Sequence, residues 1–564
     1  MSRSAAPLLA GVPSAQVRAR PDERPAPAAS RGPAREMGAG GWALALALTL
    51  LTTGALPLRA QSTGGLAAAS IADLNQAFDA GTLTSERLVR MSLARIEAYD
   101  AAGPGLGAVL WLNPDALATA RALDRERRER GPRSALHGIP VVLKDNIDTA
   151  DLPTTAGSSL LLGSIPPDDA FLVERLRAAG AIVLAKVNLS ELASGVTLSS
   201  VAGPMKNPHD PARSPSGSSG GTGVAIAAAY APIGFGTDTG GSVRGPSTAN
   251  GIVGLKPTMG LLSRDGIVPL ALSFDVPGPM ARTVADIAAV LDVVTAVDPA
   301  DPITQTGASL SGVGFTSFLD ADALRGARIG VARDFVGQDG EVDWILDASL
   351  QAMRDAGATV VDVRLPRWVL DAKEEWYTTI RWREFRAQIP AYLATLDERY
   401  PRTLAEMIER SQRLTSPTAD GQQTNPTRWG LFLQEERSGT LEDAEYLAVR
   451  DHALPLLRAL LEGRMDEERL DAIVYPTSPT RPGLVGVGGG GGGPSATNLA
   501  NLTGFPDLIV PAGFTSDRLP VGLSFLGRPF SEPRLLALGY AFEQRTQARR
   551  DPVLTPPLPG ERIH

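Results

Sequence analysis

The sequence predicts an α/β fold built around one large β-sheet. Short runs rich in β-branched and other apolar residues recur along the chain, and they alternate with stretches in which apolar residues repeat at i, i+3 and i+4. Eight strands are predicted, at residues 139–143, 181–185, 233–236, 328–332, 359–363, 472–475, 508–510 and 521–525. Helices are predicted between them and ahead of them, at residues 71–80, 85–99, 169–179, 222–231, 284–295 and 344–356.

The domain organisation follows less directly from the sequence. A chain of 564 residues exceeds one ordinary core, so length alone fits either several domains or one large α/β domain. Residues 373–465 carry almost only helical patterns, and we interpret them as a helical excursion from the sheet rather than as a separate domain. Six consecutive glycines at 488–493 predict a mobile loop, with a substrate-gating loop as the alternative.

The N-terminus has the pattern of a targeting segment. Residues 1–36 are rich in Pro, Ala, Ser and Arg without apolar periodicity, which indicates a disordered lead or a misassigned start before Met37. Residues 37–60 are predicted to be a signal peptide, because an uncharged apolar run at 42–58 precedes a possible cut after Ala60. An uncleaved membrane anchor is the alternative, since Leu58 is a poor residue for the cleavage site. Either reading predicts export, to the periplasm or out of the cell, and the first predicts no stable membrane insertion after cleavage.

Composition excludes several classes of function. A formal net charge of −8 would repel a phosphate backbone, so no nucleic-acid partner is expected. The absence of cysteine rules out disulfides, thiol nucleophiles and cysteine metal sites. The four histidines are scattered without paired spacing, so neither a metal site nor another cofactor is expected; they are His137, His209, His452 and His564.

Two segments rich in glycine and serine have features of a catalytic site. Residues 214–221 read SPSGSSGG and lead into a helix of small residues, which favours burial over a linker role. Residues 236–242 read GTDTGGS and follow a predicted strand, so that backbone N–H groups can converge on one point. Convergent amides are what an oxyanion hole requires. For each segment taken alone, an ordinary turn or linker is the alternative interpretation.

A serine nucleophile needs a base, and the candidates are histidine and lysine. His137 and His209 have no catalytic motif around them, and the pattern GxSxG fails because its first position is Ser216. The chain has only five lysines against a large excess of arginine, and Lys144 directly follows a predicted apolar strand. Lysine can lose its proton when buried whereas arginine cannot, so Lys144 is a candidate base. An ordinary ion pair with Asp145 or Asp148 is the alternative.

Three blocks of sequence resemble those of the amidase signature family. They read LHGIPVVLKDNID at 136–148, SPSGSSGGTGVA at 214–225 and GFGTDTGGSVRGPS at 234–247, with GIVGLKPT at 251–258 and NLTGFPDLIVPAG at 501–513 continuing the pattern. The similarity extends from about residue 70 to residue 549. Within the family, the sequence looks most like the bacterial peptide amidase branch. It implies an amidase signature fold, with one mixed sheet covered by helices in a single domain over residues 61–564. Ser216 departs from the family, which often has glycine there.

The resemblance also implies the chemistry. Ser242 would attack the substrate carbonyl, the hydroxyl of Ser218 would relay the proton, and Lys144 would accept it. The Gly217–Ser218 peptide bond would be cis. The N–H groups of Thr239, Gly240, Gly241 and Ser242 would bind the oxyanion. Lys144 could act as a base only if burial lowers its pKa from about 10.4 by roughly 3 units.

The expected activity is hydrolysis of a small-molecule or peptide amide through an acyl-enzyme, with no cofactor. Three alternatives stay open: an aryl acylamidase or esterase of the same family, an amidotransferase A-type subunit, which the predicted export signal disfavours, and a catalytically silent binding protein. The sequence does not indicate the acyl group or the oligomeric state.

Overall fold

The computed structural model describes residues 65–414, 426–485 and 496–564. The predicted lead and signal peptide and the glycine run at 488–493 lie outside these residues. Within them, no helix is both long enough and apolar enough to cross a membrane.

One large mixed sheet forms the centre of the fold, as predicted, and it has eleven strands rather than the eight that the sequence indicated. Its strand order is β1-β3-β2-β6-β8-β7-β12-β13-β11-β9-β10, with a separate small hairpin formed by β4 and β5. The strands are β1 (Val109–Leu112), β2 (Pro140–Lys144), β3 (Ile182–Val187), β4 (Leu198–Ser199), β5 (Gly203–Pro204), β6 (Ile233–Asp238), β7 (Val253–Lys256), β8 (Val276–Ala281), β9 (Arg328–Ala332), β10 (Thr359–Val363), β11 (Ala472–Pro476), β12 (Asp507–Phe514) and β13 (Pro520–Leu526).

Parallel pairs lie towards the two ends of the sheet, and antiparallel pairs form its middle. β2 pairs in parallel with both β3 and β6, and β9 does the same with β10 and β11. The pairs from β6 through β8, β7, β12 and β13 to β11 are all antiparallel. The carboxyl ends of β2 and β6 therefore point the same way, and they bring residues 144 and 238 to one edge of the sheet.

Helices cover the sheet. They are α1 (Ile71–Asp79), α2 (Ser85–Ile96), α3 (Ala116–Arg130), α4 (Phe171–Ala178), α5 (Gly220–Ala227), α6 (Arg244–Ala249), α7 (Val284–Val294), α8 (Gly340–Asp355), α9 (Arg367–Leu393), α10 (Leu404–Leu414), α11 (Pro426–Glu436), α12 (Ala444–Ala448), α13 (Leu454–Glu467), α14 (Thr497–Thr503) and α15 (Glu532–Thr546). The described residues between 373 and 465 contain helices and no strand, in keeping with the predicted helical excursion.

The main hydrophobic core joins strand residues such as Phe235 and Val474 to helix residues such as Leu291 and Phe542. A second core packs α2, α3 and α5 against strands that include β2 and β3, which also contribute to the main core, and it includes Val142, Val224 and Tyr230. α5 is buried along its whole length, because its glycines and alanines allow a close approach to β2 and β6.

The helix predicted at 222–231 differs from the observed α5 in its bounds. It begins at Gly220, since Gly220 and Gly221 join the first turn, and it ends at Ala227. Ala229 has a φ of 56°, a left-handed conformation that ends the helical path.

Candidate active site

Lys144 is the last residue of β2 and is fully buried. Its Nζ donates a hydrogen bond to Ser218 Oγ at 2.7 Å and another to Thr237 Oγ1 at 2.7 Å. Asn146 Nδ2 also donates to Thr237 Oγ1, at 3.0 Å. Lys144 therefore faces two hydroxyl groups rather than a carboxylate, and Asp145 pairs instead with Lys186 at 3.4 Å.

Burial has a direct effect on the acidity of Lys144. Loss of water around the ammonium lowers the pKa of Lys144 to about 7, although the nearby carboxylates of Asp238 and Asp275 favour the charged form. Near neutral pH a substantial fraction of this lysine is an unprotonated amine. Such an amine can accept a proton from the Ser218 hydroxyl that it contacts.

Ser218 lies at the entry to α5, in a buried segment with an unusual backbone. The Gly217–Ser218 peptide is cis, as the resemblance implies. The Ser218 carbonyl accepts a hydrogen bond from Ser190 N at 3.0 Å, and Ser219 N donates to the Ser242 carbonyl at 3.1 Å. The second of these bonds joins the segment that carries Ser218 directly to the segment that carries Ser242.

Ser242 lies in the turn at residues 239–243, between the end of β6 and the start of α6. Ser242 and Gly240 are partly exposed, whereas Gly241 and Val243 are buried. Gly241 has a φ of 114°, which favours glycine at this position. The structure thus brings the segments of Lys144, Ser218 and Ser242 together at one edge of the sheet, and their catalytic roles stay predictions.

Asp238 holds this turn, and sequence reasoning did not identify it. Its carboxylate accepts hydrogen bonds from Gly241 N at 2.8 Å and from Val243 N at 2.9 Å. Arg244 Nε and Nη2 each lie 3.1 Å from the same carboxylate. Burial by itself would raise the pKa of Asp238, but the Arg244 guanidinium outweighs burial and holds this pKa well below its usual range.

The buried ion pair extends across the sheet. Arg244 Nη1 donates to Asp507 Oδ2 at 3.1 Å, at the start of β12, and Asn501 Nδ2 donates to Asp238 Oδ1 at 2.9 Å. Tyr475 on β11 donates its hydroxyl proton to Asp507 at 2.7 Å. We call Asp238, Arg244, Asn501, Asp507 and Tyr475 the buried network. It fixes the 239–243 turn to strands from a distant part of the sequence.

One predicted oxyanion donor has a different partner in this structure. The Gly241 N–H points at Asp238 Oδ1, so it supports the turn. Of the four predicted oxyanion donors, the N–H groups of Thr239, Gly240 and Ser242 then remain as candidates. The Thr239 side chain is itself held, because its hydroxyl donates to Asp275 Oδ1 at 2.5 Å.

The two histidines considered as alternative bases have structural partners. His137 Nε2 lies 3.0 Å from the Leu123 carbonyl, and His209 Nε2 lies 3.2 Å from the Asn250 carbonyl. Burial lowers the pKa of His209 to about 4. In the parts of the chain that the structure describes, no group of three or more His, Asp or Glu side chains is placed to hold a metal ion.

The profile of the Amidase family matches residues 87–536, which is most of the chain. This protein belongs to the Amidase family. The family assignment, the mixed-sheet fold and the enzyme class predicted from the sequence are confirmed, and the chain is a hydrolase that acts on amides.

Individual relatives of this amidase agree with the assignment. The solved structure of native peptide amidase from Stenotrophomonas maltophilia superposes with a TM-score of 0.81 at 40% identity, covering 87% of this chain and 99% of that one. A probable amidase of Arabidopsis thaliana is 34% identical, over 90% of this chain and 96% of the relative. The A-type subunit of glutamyl-tRNA(Gln) amidotransferase from Chloroflexus aurantiacus is 38% identical, over 84% of this chain and 95% of the relative.

Proposed function

We propose that this amidase hydrolyses carboxamide C–N bonds through an acyl-enzyme on Ser242, with Ser218 as proton relay and Lys144 as base. The contact between Lys144 Nζ and Ser218 Oγ at 2.7 Å, inside a fully buried site, is the observation that carries the proposal. Lys144 contacts the hydroxyls of Ser218 and Thr237 rather than a carboxylate, and burial lowers its pKa to about 7, so it can accept a proton from Ser218 near neutral pH.

The cycle begins when Ser242 Oγ adds to the amide carbonyl and its proton passes to Ser218 and on to Lys144. The amides of Thr239, Gly240 and Ser242 stabilise the oxyanion. The C–N bond then breaks as the relay returns a proton to the leaving amine, which departs as ammonia or as a substituted amine. Water then attacks the acyl-enzyme carbonyl. The relay accepts the proton of the water and returns it to Ser242 Oγ, and the acid is released.

We infer that the substrates include C-terminal peptide amides. The similarity to a peptide amidase at 40% identity, covering nearly the whole of that chain, supports this substrate class. The matched test measures the leaving group released by the wild-type chain and by Ser242→Ala: ammonia from amidated peptides and simple carboxamides, aniline from anilides, and alcohol from matched esters. Activity that Ser242→Ala retains would overturn the mechanism. A preference for anilides or esters would agree with the proposed triad but would contradict the proposed substrate class.

A role as an amidotransferase A-type subunit is the second candidate, and the 38% identity to such a protein favours it. The two functions differ in what the isolated chain can do. Release of ammonia from amidated peptides by the purified chain alone supports the first. A chain that is inactive alone and gains activity only with partner subunits supports the second.

We also propose that the chain is exported to the periplasm or beyond. The uncharged apolar run at 42–58, with Arg31 and Arg35 before it, supports a signal peptide. Cell fractionation and N-terminal sequencing test this proposal. A mature N-terminus at Gln61 is expected, and full-length protein in the cytosolic fraction would contradict it.

A further inference from the structure

Tyr377 on α9 lies against the 239–243 turn at Gly240. α9 packs mainly against α11 and α14, whereas α5 packs mainly against α6 and β6. A β-carbon placed on Gly240 would lie 2.7 Å from the ring carbon that bears the Tyr377 hydroxyl, and closer still to the hydroxyl oxygen. The ring stacks on Phe274 with centroids 5.6 Å apart and an interplanar angle of 16°. The Tyr377 phenol is therefore held in place, in contact with a partly exposed residue of the proposed oxyanion hole.

The Tyr377 hydroxyl has no hydrogen-bond partner among the described residues, and Tyr377 is partly exposed. Three buried phenols elsewhere in the fold are paired: Tyr392 with Asp148 at 2.8 Å, Tyr446 with Glu384 at 2.8 Å and Tyr475 with Asp507 at 2.7 Å. Burial also raises the pKa of Tyr377 to about 12, so the phenol keeps its proton at physiological pH.

Apart from the proposed nucleophile Ser242, three neighbouring polar side chains are already engaged. The Thr239 hydroxyl binds Asp275, Asp238 holds the turn amides, and Lys144 binds Ser218. Tyr377 is thus the phenol at this turn with hydrogen-bonding capacity left for a ligand.

The position of Tyr377 indicates which half of a substrate it meets. The relay must lie near the leaving amine in order to protonate it. The segment that carries Ser218 precedes α5 and is joined to Ser242 by the hydrogen bond from Ser219 N to the Ser242 carbonyl. With the carbonyl oxygen in the turn and the leaving group near Ser218, the acyl group takes the part of the turn away from that bond. Tyr377 meets the turn at Gly240 instead, and we infer from this that it is on the acyl side.

We propose that the Tyr377 hydroxyl binds a polar group in the acyl half of the substrate, so that the enzyme selects acyl groups with a hydrogen-bonding group close to the scissile carboxamide. N-acylated amino-acid amides have such a group, and plain aliphatic carboxamides lack it. This inference rests on the proposed amidase function and adds to it a specificity-determining residue.

The test compares two substrates that differ only in an acetamido group, N-acetylleucinamide and 4-methylpentanamide. Tyr377→Phe keeps the ring and its stacking on Phe274 and removes only the hydroxyl. We expect kcat/KM for N-acetylleucinamide to fall roughly 5- to 10-fold, the worth of one neutral hydrogen bond, mainly through KM. For 4-methylpentanamide, kcat/KM should stay within about twofold of the wild-type value, because this substrate has no acetamido group for the Tyr377 hydroxyl to bind.

Tyr540→Phe is the matched control, because Tyr540 is a partly buried tyrosine on α15 that packs against the main core. It should change the kinetics of neither substrate. An equal loss on both substrates in Tyr377→Phe, or no loss on either, would overturn the inference.

A binding measurement separates this inference from the proposed function. Calorimetric Kd values of N-acetylleucinamide for Ser242→Ala, with and without Tyr377→Phe, require no turnover. A weaker Kd in the double variant supports the role of Tyr377, and an unchanged Kd contradicts it. Hydrolysis of N-acetylleucinamide by Ser242→Ala would instead overturn the proposed mechanism.

Discussion

Lys144 Nζ lies 2.7 Å from Ser218 Oγ, at the end of a strand that excludes water from both groups. The relay proposed here depends on a lysine that can lose its proton. Arginine keeps the length and the charge of the side chain but stays protonated at every relevant pH. Lys144→Arg should therefore lower kcat by about 10³-fold, within the range observed when a general base is lost. Steady-state ammonia release measures this, with the partly exposed Lys206→Arg as control. An active Lys144→Arg enzyme would rule out the base role.

Ser218→Ala removes the hydroxyl that contacts Lys144 and is proposed to relay the proton from Ser242. Thr237 still binds Lys144, so the fold should persist, and we expect kcat to fall by about 10²-fold, less than for Ser242→Ala. Ser216→Gly is the neighbouring control. Ser216 has a φ of 63°, which glycine adopts without strain, so this variant should keep its activity and its Tm. Equal losses in the two variants would indicate damage to the segment rather than loss of a relay.

The pH profile should report Lys144. Its unprotonated form is the active one, and burial lowers its pKa to about 7. The value of kcat/KM should then fall about tenfold per pH unit below pH 7 and level off above it. The residual activity of Lys144→Ala should lack this acidic limb. A wild-type profile that is flat from pH 5 to 9 would contradict the assignment.

Asp238→Asn tests the buried network. The substitution leaves the Arg244 guanidinium with one fewer charged partner in a fully buried site, and breaking a buried pair costs about 3 to 5 kcal/mol of unfolding free energy. We expect a lower midpoint in urea denaturation together with a lower kcat, since Gly241 N and Val243 N lose a charged acceptor. Asp322→Asn removes an exposed pair with Arg325 and should change neither quantity. Wild-type stability and activity in Asp238→Asn would show that the network does not hold the turn.

Gly240→Ala should lower activity by forcing the Tyr377 phenol and the turn apart. The loss should be partly reversed in Gly240→Ala/Tyr377→Ala, because the smaller residue at 377 leaves room for the new methyl group. A double-mutant cycle with 4-methylpentanamide should give a coupling of about 1 kcal/mol, as contacting residues do. Additive losses would mean that Gly240 is required for a reason other than this contact.

The sequence predicted the eight strands with the strongest apolar patterns but missed three others of the main sheet. β8 was missed because it reads VPGPMA, and prolines and glycine argue against a central strand. It is nevertheless paired on both sides, by β6 and β7, so tertiary context overrides local propensity. β1 is a short, partly exposed edge strand, and β7 has only four residues.

The site was predictable where its residues lie in contiguous blocks. Lys144, Ser218 and Ser242 each stand in a short motif, whereas Tyr377 stands in a long helical stretch with no motif around it. The contact between Asp238 and Asn501 spans 263 residues, which no local pattern reveals. Only the spacing of Asp238 and Arg244 within GTDTGGSVR offered a signal, since an acid and a base six residues apart flank the turn.

The buried network also bears on how the enzyme is made. All three proposed triad residues are synthesised by position 242, but Tyr475, Asn501 and Asp507, which complete the anchorage of their turn, emerge from the ribosome only near the end of translation. A nascent chain that has reached residue 400 thus contains every reactive group and lacks the framework that orients them. The full set of hydrogen bonds that holds the turn can therefore form only after β11, α14 and β12 have been synthesised.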